Sequence, residues 1–326
     1  MKILWFIGNG FDMNLGMKTS YRNFYEYYKT IKSESELINN LKKDILDKPE
    51  NWADLELTLG DYTKNIQNPT DLEKIYEDLQ EKLAVYLNQQ EENCESKFGL
   101  INSDRLLKDL IHPEYFLTEG DKNNLINYRK HSSTPVFINM ISFNYTNSIE
   151  NILGNKLSDT TLKDDYGREV KTIDINHIHG YTDSRMVMGV NDISQISNEH
   201  FKDNLDIIEA MVKPESNKTM DHTLDKKCEN LVISADIICI FGCSLGYTDK
   251  FWWEVIAKKL LRGSLLIIFD HGDPIKERQS YKIGRRKRNV KDNFLSKTDL
   301  SDLDKGKISD KIFIGVNADI FDLVNT

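Results

Sequence analysis

Two rhythms of apolar residues alternate along the chain. Short, nearly unbroken apolar runs predict strands over Lys2–Gly8, Val136–Phe143, Thr172–His179, Arg185–Val190, Ile237–Phe241, Leu265–Phe269 and Ile312–Val316. Ile237–Phe241 has no polar residue, the pattern of a central strand buried on both faces. Helical spacing appears instead at Tyr21, Phe24, Tyr25 and Tyr28, in a helix opening near Thr19 or Ser20. It returns most clearly at Leu72, Ile75, Leu79, Leu83 and Tyr86. Further helices are expected over Lys250–Leu261 and from Pro274 to about Ile283, with Asp273 and Pro274 as cap and first residue. The Asp-, Ser- and Lys-rich stretch Asp292–Ser309 reads as a surface loop.

Strand, helix, strand, helix in the second half predicts an α/β protein with a doubly wound, Rossmann-like and mostly parallel sheet. Residues 1–34 and 132–326 would form that nucleotide-binding core. Residues 35–131, polar with recurring Leu, Ile and Tyr, would be a helical insertion after the first βα unit. No internal repeat of fixed period is present.

Composition sharpens the class. A chain of 326 residues, 39% hydrophobic and 29% charged, can bury a real core. No run of ~18 apolar residues marks a membrane span, and the apolar stretch after Lys2 is too short for a signal sequence. Cys94, Cys228, Cys239 and Cys243 form no Cys-x-x-Cys pair, which fits neither a zinc ribbon nor a disulfide framework. The expected setting is the cytoplasm, with no membrane partner. A net charge of −9 argues against general nucleic-acid affinity. One basic cluster stands out, Arg285, Arg286, Lys287 and Arg288, with Lys276, Arg278 and Lys282 before it. Such runs are usually solvated helix faces.

Four short motifs sit where a predicted strand ends, the place where open α/β sheets bind ligands. Gly8-Asn9-Gly10-Phe11-Asp12 could bring backbone amides to a phosphate. Met13 stands where the dehydrogenase fingerprint needs glycine, and a plain tight turn is the simpler alternative. Phe143-Asn144-Tyr145-Thr146 places a carboxamide at a strand tip, able to hold a ribose hydroxyl or a water, or simply to close a turn. In His177-Ile178-His179-Gly180, alternation would put both imidazoles on one sheet face if the strand persists. Gly242-Cys243-Ser244, followed by Asp249, could meet a phosphate or merely cap a helix. A fifth segment, Asn51-Trp52-Ala53-Asp54-Leu55-Glu56, predicts a helix with Trp52 and Glu56 on one face, as a lid or as packing. A metal-dependent nuclease or phosphoesterase using His177, His179, Asp270 and His271 is a weaker alternative, because the spacings match no two-metal pattern.

With these residues in view, the sequence resembles the AbiH family of bacterial abortive-infection proteins. The resemblance rests on FIGNGFDMNLGMKTSY, NWADLE, FNYTNSIENI, HIHG with VMGVND, and FGCSLGYTD, which follow in order over nearly the whole chain. It implies defence against bacteriophage. A more distant resemblance is to sirtuin-like NAD-consuming domains. That likeness implies a phosphate loop at Gly8, Gly10 and Asp12, a catalytic Asn144, a catalytic His179, and a late ribose-phosphate contact at Ser244. Asn9 and Phe11 in the loop depart from the sirtuin pattern, as does Thr146 in place of aspartate. The zinc-binding cysteines are missing too, which argues against deacylation.

The resulting expectation is an antiphage effector that binds NAD and hydrolyses it at the nicotinamide–ribose bond. Asn144 and His179 would be catalytic. Gly8, Asn9, Gly10, Asp12, Glu56, Thr146, His177, Gly242, Ser244 and Asp249 would bind the nucleotide, with no metal. The alternative is a non-catalytic sensor of NAD or ADP-ribose. The expected partners are a small-molecule nucleotide, further copies of the chain and a phage-derived trigger, and nucleic acid is not among them.

Overall fold

The computed structural model describes residues 1–99, 101–158, 162–220 and 223–323. Strand β1 (Lys2–Ile7) is followed by helices α1 (Gly10–Asn14), α2 (Tyr21–Tyr28), α3 (Glu36–Asp47), α4 (Leu55–Tyr62), α5 (Pro69–Phe98), α6 (Ser103–Ile111) and α7 (Glu119–Lys130). Then come β2 (Val136–Ser142), α8 (Ser148–Leu153), β3 (Val170–His177), α9 (Leu205–Met211), α10 (Lys213–Thr219) and α11 (Leu224–Ser234). The chain continues through β4 (Ile237–Phe241), α12 (Lys250–Leu261), β5 (Leu265–Asp270), α13 (Tyr281–Ser296), α14 (Asp302–Ser309) and β6 (Ile312–Val316).

The strands form one six-stranded sheet in the order β3-β2-β1-β4-β5-β6. Every pairing is parallel. Chain direction across the sheet reverses between β1 and β4, so this is a doubly wound fold with its switch point there. Register sets the strand tips level: Ile7 pairs with both Ser142 and Phe241, and Ser142 pairs with His177. The loops after β1, β2, β3 and β4 therefore leave from one edge.

Both faces of the central strands are buried, as the apolar runs require. Ile3, Trp5 and Ile7 point into one core with α6, α7 and α8, while Leu4 and Phe6 point into another with α11, α12 and α13. A third core has its own aromatic centre. Phe24, Tyr28, Trp52, Leu79 and Tyr86 pack with Met186, Met188, Phe201 and Met211. The helical stretch between β1 and β2 is thus shared between two cores. Helices α2 to α5 build the third one, and α6 and α7 cover the sheet.

Several expected elements differ. Arg185–Val190 is no strand; its one ladder contact is a bridge from Val190 to Val212. Its carbonyls are satisfied by side chains instead: Gln80 donates to Met186, Tyr145 to Val187 and Tyr76 to Met188. No helix starts at Pro274; α13 opens at Tyr281 and runs to Ser296. The expected loop after Asp292 is largely helical, because Ser301 caps α14 by accepting from the Asp304 amide. Among the described residues, no helix is long and apolar enough to cross a membrane.

Candidate functional site

The glycine turn after β1 is bound to the loop after β4. Gly8 N–H donates to the Phe241 carbonyl and Gly10 N–H to the Gly242 carbonyl, each at 2.9 Å. A Cβ on Gly10 would lie 2.5 Å from Gly242 Cα, and one on Gly8 would lie 2.6 Å from the Gly242 oxygen. Gly242 itself has φ +72°, a conformation that L side chains rarely adopt. These three glycines are explained by each other. The amides of Gly8 and Gly10, which the sequence reading aimed at a phosphate, are spent within the protein.

Asp12, two residues on, is turned inward at 1% exposure. Thr146 Oγ1 donates to its Oδ2 at 2.6 Å, and Ser148 Oγ donates to Thr146 at 3.2 Å. Burial pushes the Asp12 carboxyl up to about 6, opposed by the Thr146 hydroxyl and the nearby Ser148, His177 and Asn144 side chains. Asp12 Oδ1 is buried without a hydrogen-bond partner among the described residues, and so is Asn144 Oδ1. His177 closes this group. Its Nδ1 lies 2.8 Å from the Asn144 carbonyl oxygen and its Nε2 2.8 Å from Glu150 Oε1. Glu150 Oε2 is a third buried oxygen with no partner. Outward of this group lies a cleft of about 390 Å³, lined by Asn88, Glu91, Glu92, Asn147, Glu150 and Asn151. Burial raises Glu91, with Asp12 and Glu150 adding to the rise.

A second polar cluster lies on the other side of the β2 tip. Lys213 Nζ donates to Glu56 Oε2 at 2.8 Å and to Asp249 Oδ1 at 3.0 Å. His179 Nε2 is 3.4 Å from the same Asp249 oxygen. The Gly189 amide donates to Glu56 Oε1 at 3.3 Å. Burial opposes every charge here, and the partners decide the outcome. It raises Glu56 despite Lys213. It would raise Asp249 as well, but Lys213 and His179 hold that carboxyl well below the ordinary range. It would lower Lys213, yet Asp249 and Glu56 keep the ammonium charged. His179 is pushed below its ordinary value by burial and then by Lys213, with Asp249 opposing. Asp249 stands at the cap of α12 but makes no capping bond.

The β2 tip divides the two clusters by simple alternation. Phe143 stacks on His179 with ring centroids 5.2 Å apart, and Tyr145 lies 6.2 Å from the same ring. Asn144 and Thr146 face Asp12 instead. His177 and His179 diverge for a related reason. β3 ends at His177, so alternation stops before His179 can follow.

The predicted site residues thus gather in two groups, not one. Asp12, Asn144, Thr146 and His177 form the first; Glu56, His179 and Asp249 belong to the second. Gly8, Gly10 and Gly242 are the seam at the switch point. Asn9 is held locally, donating from Nδ2 to the Thr19 carbonyl at 3.0 Å. Ser244 is exposed; its Oγ, Thr248 Oγ1 and Asp54 Oδ2 ring Gly246. The expected Trp52–Glu56 helix is broken. Asp54 caps α4 by accepting from the Leu57 amide, while Trp52 sits in a preceding turn, wholly buried. The four-residue metal constellation is not assembled. His177 is spent on Glu150, His179 on Asp249 and Asp270 on Arg286.

Sequence reasoning missed Glu150, Ser148 and Lys213. The first two follow the β2 tip within FNYTNSIEN, where Glu150 lies four residues after Thr146, so helical spacing offered a signal. Lys213 offered none: it is a single lysine between the apolar Ala210–Val212 and a proline, with no motif around it.

Fold and site together define a Rossmann-like α/β protein with two buried polar clusters at the carboxyl edge of its sheet. The family model for bacteriophage abortive infection AbiH matches residues 4–271. The chain belongs to that family, and membership implies a role in phage abortive infection. A search of curated proteins finds no match to it.

Proposed function

We propose that the chain binds NAD at this edge and hydrolyses the nicotinamide–ribose bond, depleting the cofactor in infected cells. One observation carries the reading: the unpartnered, buried oxygens Asp12 Oδ1 and Asn144 Oδ1 at the ends of β1 and β2. A buried acceptor left without a donor costs about 1–3 kcal/mol. Ribose hydroxyls are donors that would relieve that cost. Nicotinamide departure leaves positive charge on the ribose, which a nearby carboxylate such as Asp12 would stabilise. Water then adds to the sugar carbon and gives up a proton. His179, pushed below its ordinary value by burial and oriented by Asp249, is the base in this scheme, which requires the bound ligand to reach across the β2 tip from the Asp12 group to the second cluster. The strand order and the distant sirtuin resemblance support the same ligand class. A phage-derived trigger acting through self-association would complete the system.

The test is incubation of purified protein with NAD, following nicotinamide by chromatography. Asn144→Ala and His179→Ala are each expected to lose about 10²–10⁴ in rate. Turnover by His179→Ala equal to that of the unaltered protein overturns the assignment.

A second reading, a non-catalytic NAD or ADP-ribose sensor, draws on Thr146, which stands where the sirtuin pattern has aspartate and donates to Asp12. Tight binding by calorimetry with no nicotinamide released would favour it.

A further inference from the structure

We infer that the stretch from Lys276 through the first half of α13 is a contact surface for single-stranded nucleic acid, carried by a solvent-facing stripe of Tyr281, Arg285 and Arg288. This goes beyond the NAD reading and does not depend on it. Between Lys276 and Lys291 the sequence has eight Lys and Arg against one acid, Glu277, in a chain whose net charge is −9. The structure splits these cations by role. Arg286 pairs with Asp270 at the tip of β5 and donates to the Asp273 carbonyl at 3.0 Å. Lys287 pairs with Asp121 at 2.6 Å, and Lys291 donates to the Ser309 carbonyl at 2.6 Å. These three hold the helix in place. Lys276, Arg278, Arg285 and Arg288 are exposed and make no ion pair with any described residue.

Some exposed helix lysines elsewhere have an acid three residues away, as in Lys64 with Asp61, Lys74 with Asp71 and Lys307 with Asp304, whereas these four cations are grouped on one short stretch with no ion pair to a described residue. On α13 the spacing 281, 285, 288 places one aromatic and two guanidinium groups on one face, over about 10 Å of helix. Tyr281 is 71% exposed and stacks on no other aromatic ring among the described residues, so its ring is open to a base. Cations that track a phosphate backbone, interleaved with a ring on which a base stacks, are the chemistry of single-strand recognition. Arginine adds planar, bidentate phosphate contacts. Stacking also separates this partner from an anionic membrane, which would call for exposed aliphatic side chains beside the charges; the exposed uncharged neighbours of Tyr281 here are Ser280, Gly284 and Asn289. The low net charge of the whole chain is no obstacle, because screening confines the field to about 10 Å at 0.1 M salt.

The experiment is fluorescence anisotropy of the full chain with labelled oligo(dT) and oligo(U), each of about 20 nucleotides, across a salt series. The same protein is run against labelled duplex DNA and against vesicles of phosphatidylserine and phosphatidylcholine. Binding of the single strands is expected to weaken with salt, with a log–log slope near −3 for about four phosphate contacts. Arg285→Glu with Arg288→Glu should weaken it at least tenfold, and Tyr281→Ala about fivefold or more. The control is Lys64→Glu with Lys74→Glu, which changes net charge equally on a distant surface and should cost less than twofold. Melting curves confirm that each variant folds, since all the altered residues are exposed. Three results overturn the proposal: no single-strand binding at 50 mM salt, equal losses in the control and α13 variants, or binding to vesicles or duplex alone.

Discussion

The amide of Gly10 donates to the carbonyl of Gly242 at 2.9 Å, joining the loops after β1 and β4 where the sheet changes direction. Neither position has room for a side chain. Gly10→Ala must push the Gly242 backbone away, and overpacking of this kind costs about 1–3 kcal/mol. Gly242→Ala adds the strain of its positive φ, roughly another 1 kcal/mol. Urea denaturation should show both variants with a lowered midpoint, Gly242→Ala the lower. A midpoint unchanged for Gly10→Ala would mean the seam is loose.

Lys213 is the common partner of two buried carboxylates. Removing its charge in Lys213→Met leaves Glu56 and Asp249 without a cation, a loss of about 3–5 kcal/mol by the usual cost of breaking a buried pair. The double variant Lys213→Met, Glu56→Gln should recover part of that, because one orphaned charge is gone. If the double variant unfolds at the same denaturant concentration as the single, the coupling assigned to this pair is wrong.

His179 and Asp249 make a prediction that needs no substrate. Asp249 raises the His179 value and Lys213 lowers it, so Asp249→Asn removes the support and frees the opposing cation. Histidine titration followed by NMR should show His179 protonating at lower pH in Asp249→Asn than in the unaltered protein. A shift upward contradicts the geometry.

Asp12 links stability to pH. Its folded value of about 6 lies above the ordinary carboxylate value near 3.9. The folded state therefore holds this proton more tightly. Its contribution to stability is fully present below about pH 4 and is lost as pH rises through 6, a change of about 3 kcal/mol. Asp109, pushed up to about 6 by burial, and Glu56 are shifted in the same direction. Asp12→Asn should therefore flatten the fall in stability between pH 4.5 and 7 without abolishing it. Denaturation curves at the two pH values measure this, and an unchanged slope would refute the assignment.

Phe321 covers the strand tips on one face. Its ring lies 4.9 Å from that of Phe241, 5.2 Å from Trp5 and 5.6 Å from Phe11. Its backbone sits at φ +55°, held by the Asp109 carboxylate, which accepts its amide at 2.8 Å. Phe321→Ala should cost about 3–5 kcal/mol. Asp109→Ala should cost less, since it leaves the ring in place but orphans the amide. A midpoint within error of the unaltered protein for Phe321→Ala would show that the tail does not seal this core.

The sheet was legible because its signal is local. A strand buried on both faces must be apolar at every position, and Ile237–Phe241 meets that demand without help from any distant residue. The opening of α2 near Thr19 or Ser20 was legible for the same reason, and one hydroxyl and one amide three residues apart decide for Ser20. Arg185–Val190 shows where local reading fails. Its apolar pattern is that of a strand, yet its carbonyls are taken by Tyr76, Gln80 and Tyr145, residues far away in the chain. The stretch from Pro274 to Ser309 failed differently, because a helix rich in Lys, Arg and Asn has too few apolar positions to display a period.

The candidate site divides along the same line. The amino-acid sequence determined which side chains stand at the strand tips, Asp12, Asn144, His177 and His179 among them, because strand ends are written in short apolar runs that stop. It also determined the family, through motifs spread over most of the chain. Only the tertiary structure decided that Asp12 and Asn144 face one cluster while His179 joins Lys213, Glu56 and Asp249 in another. Grouping of that kind depends on which segments pack together and on where β3 ends, and on the burial that lets one ammonium govern two carboxylates. None of these is a property of any short stretch of sequence.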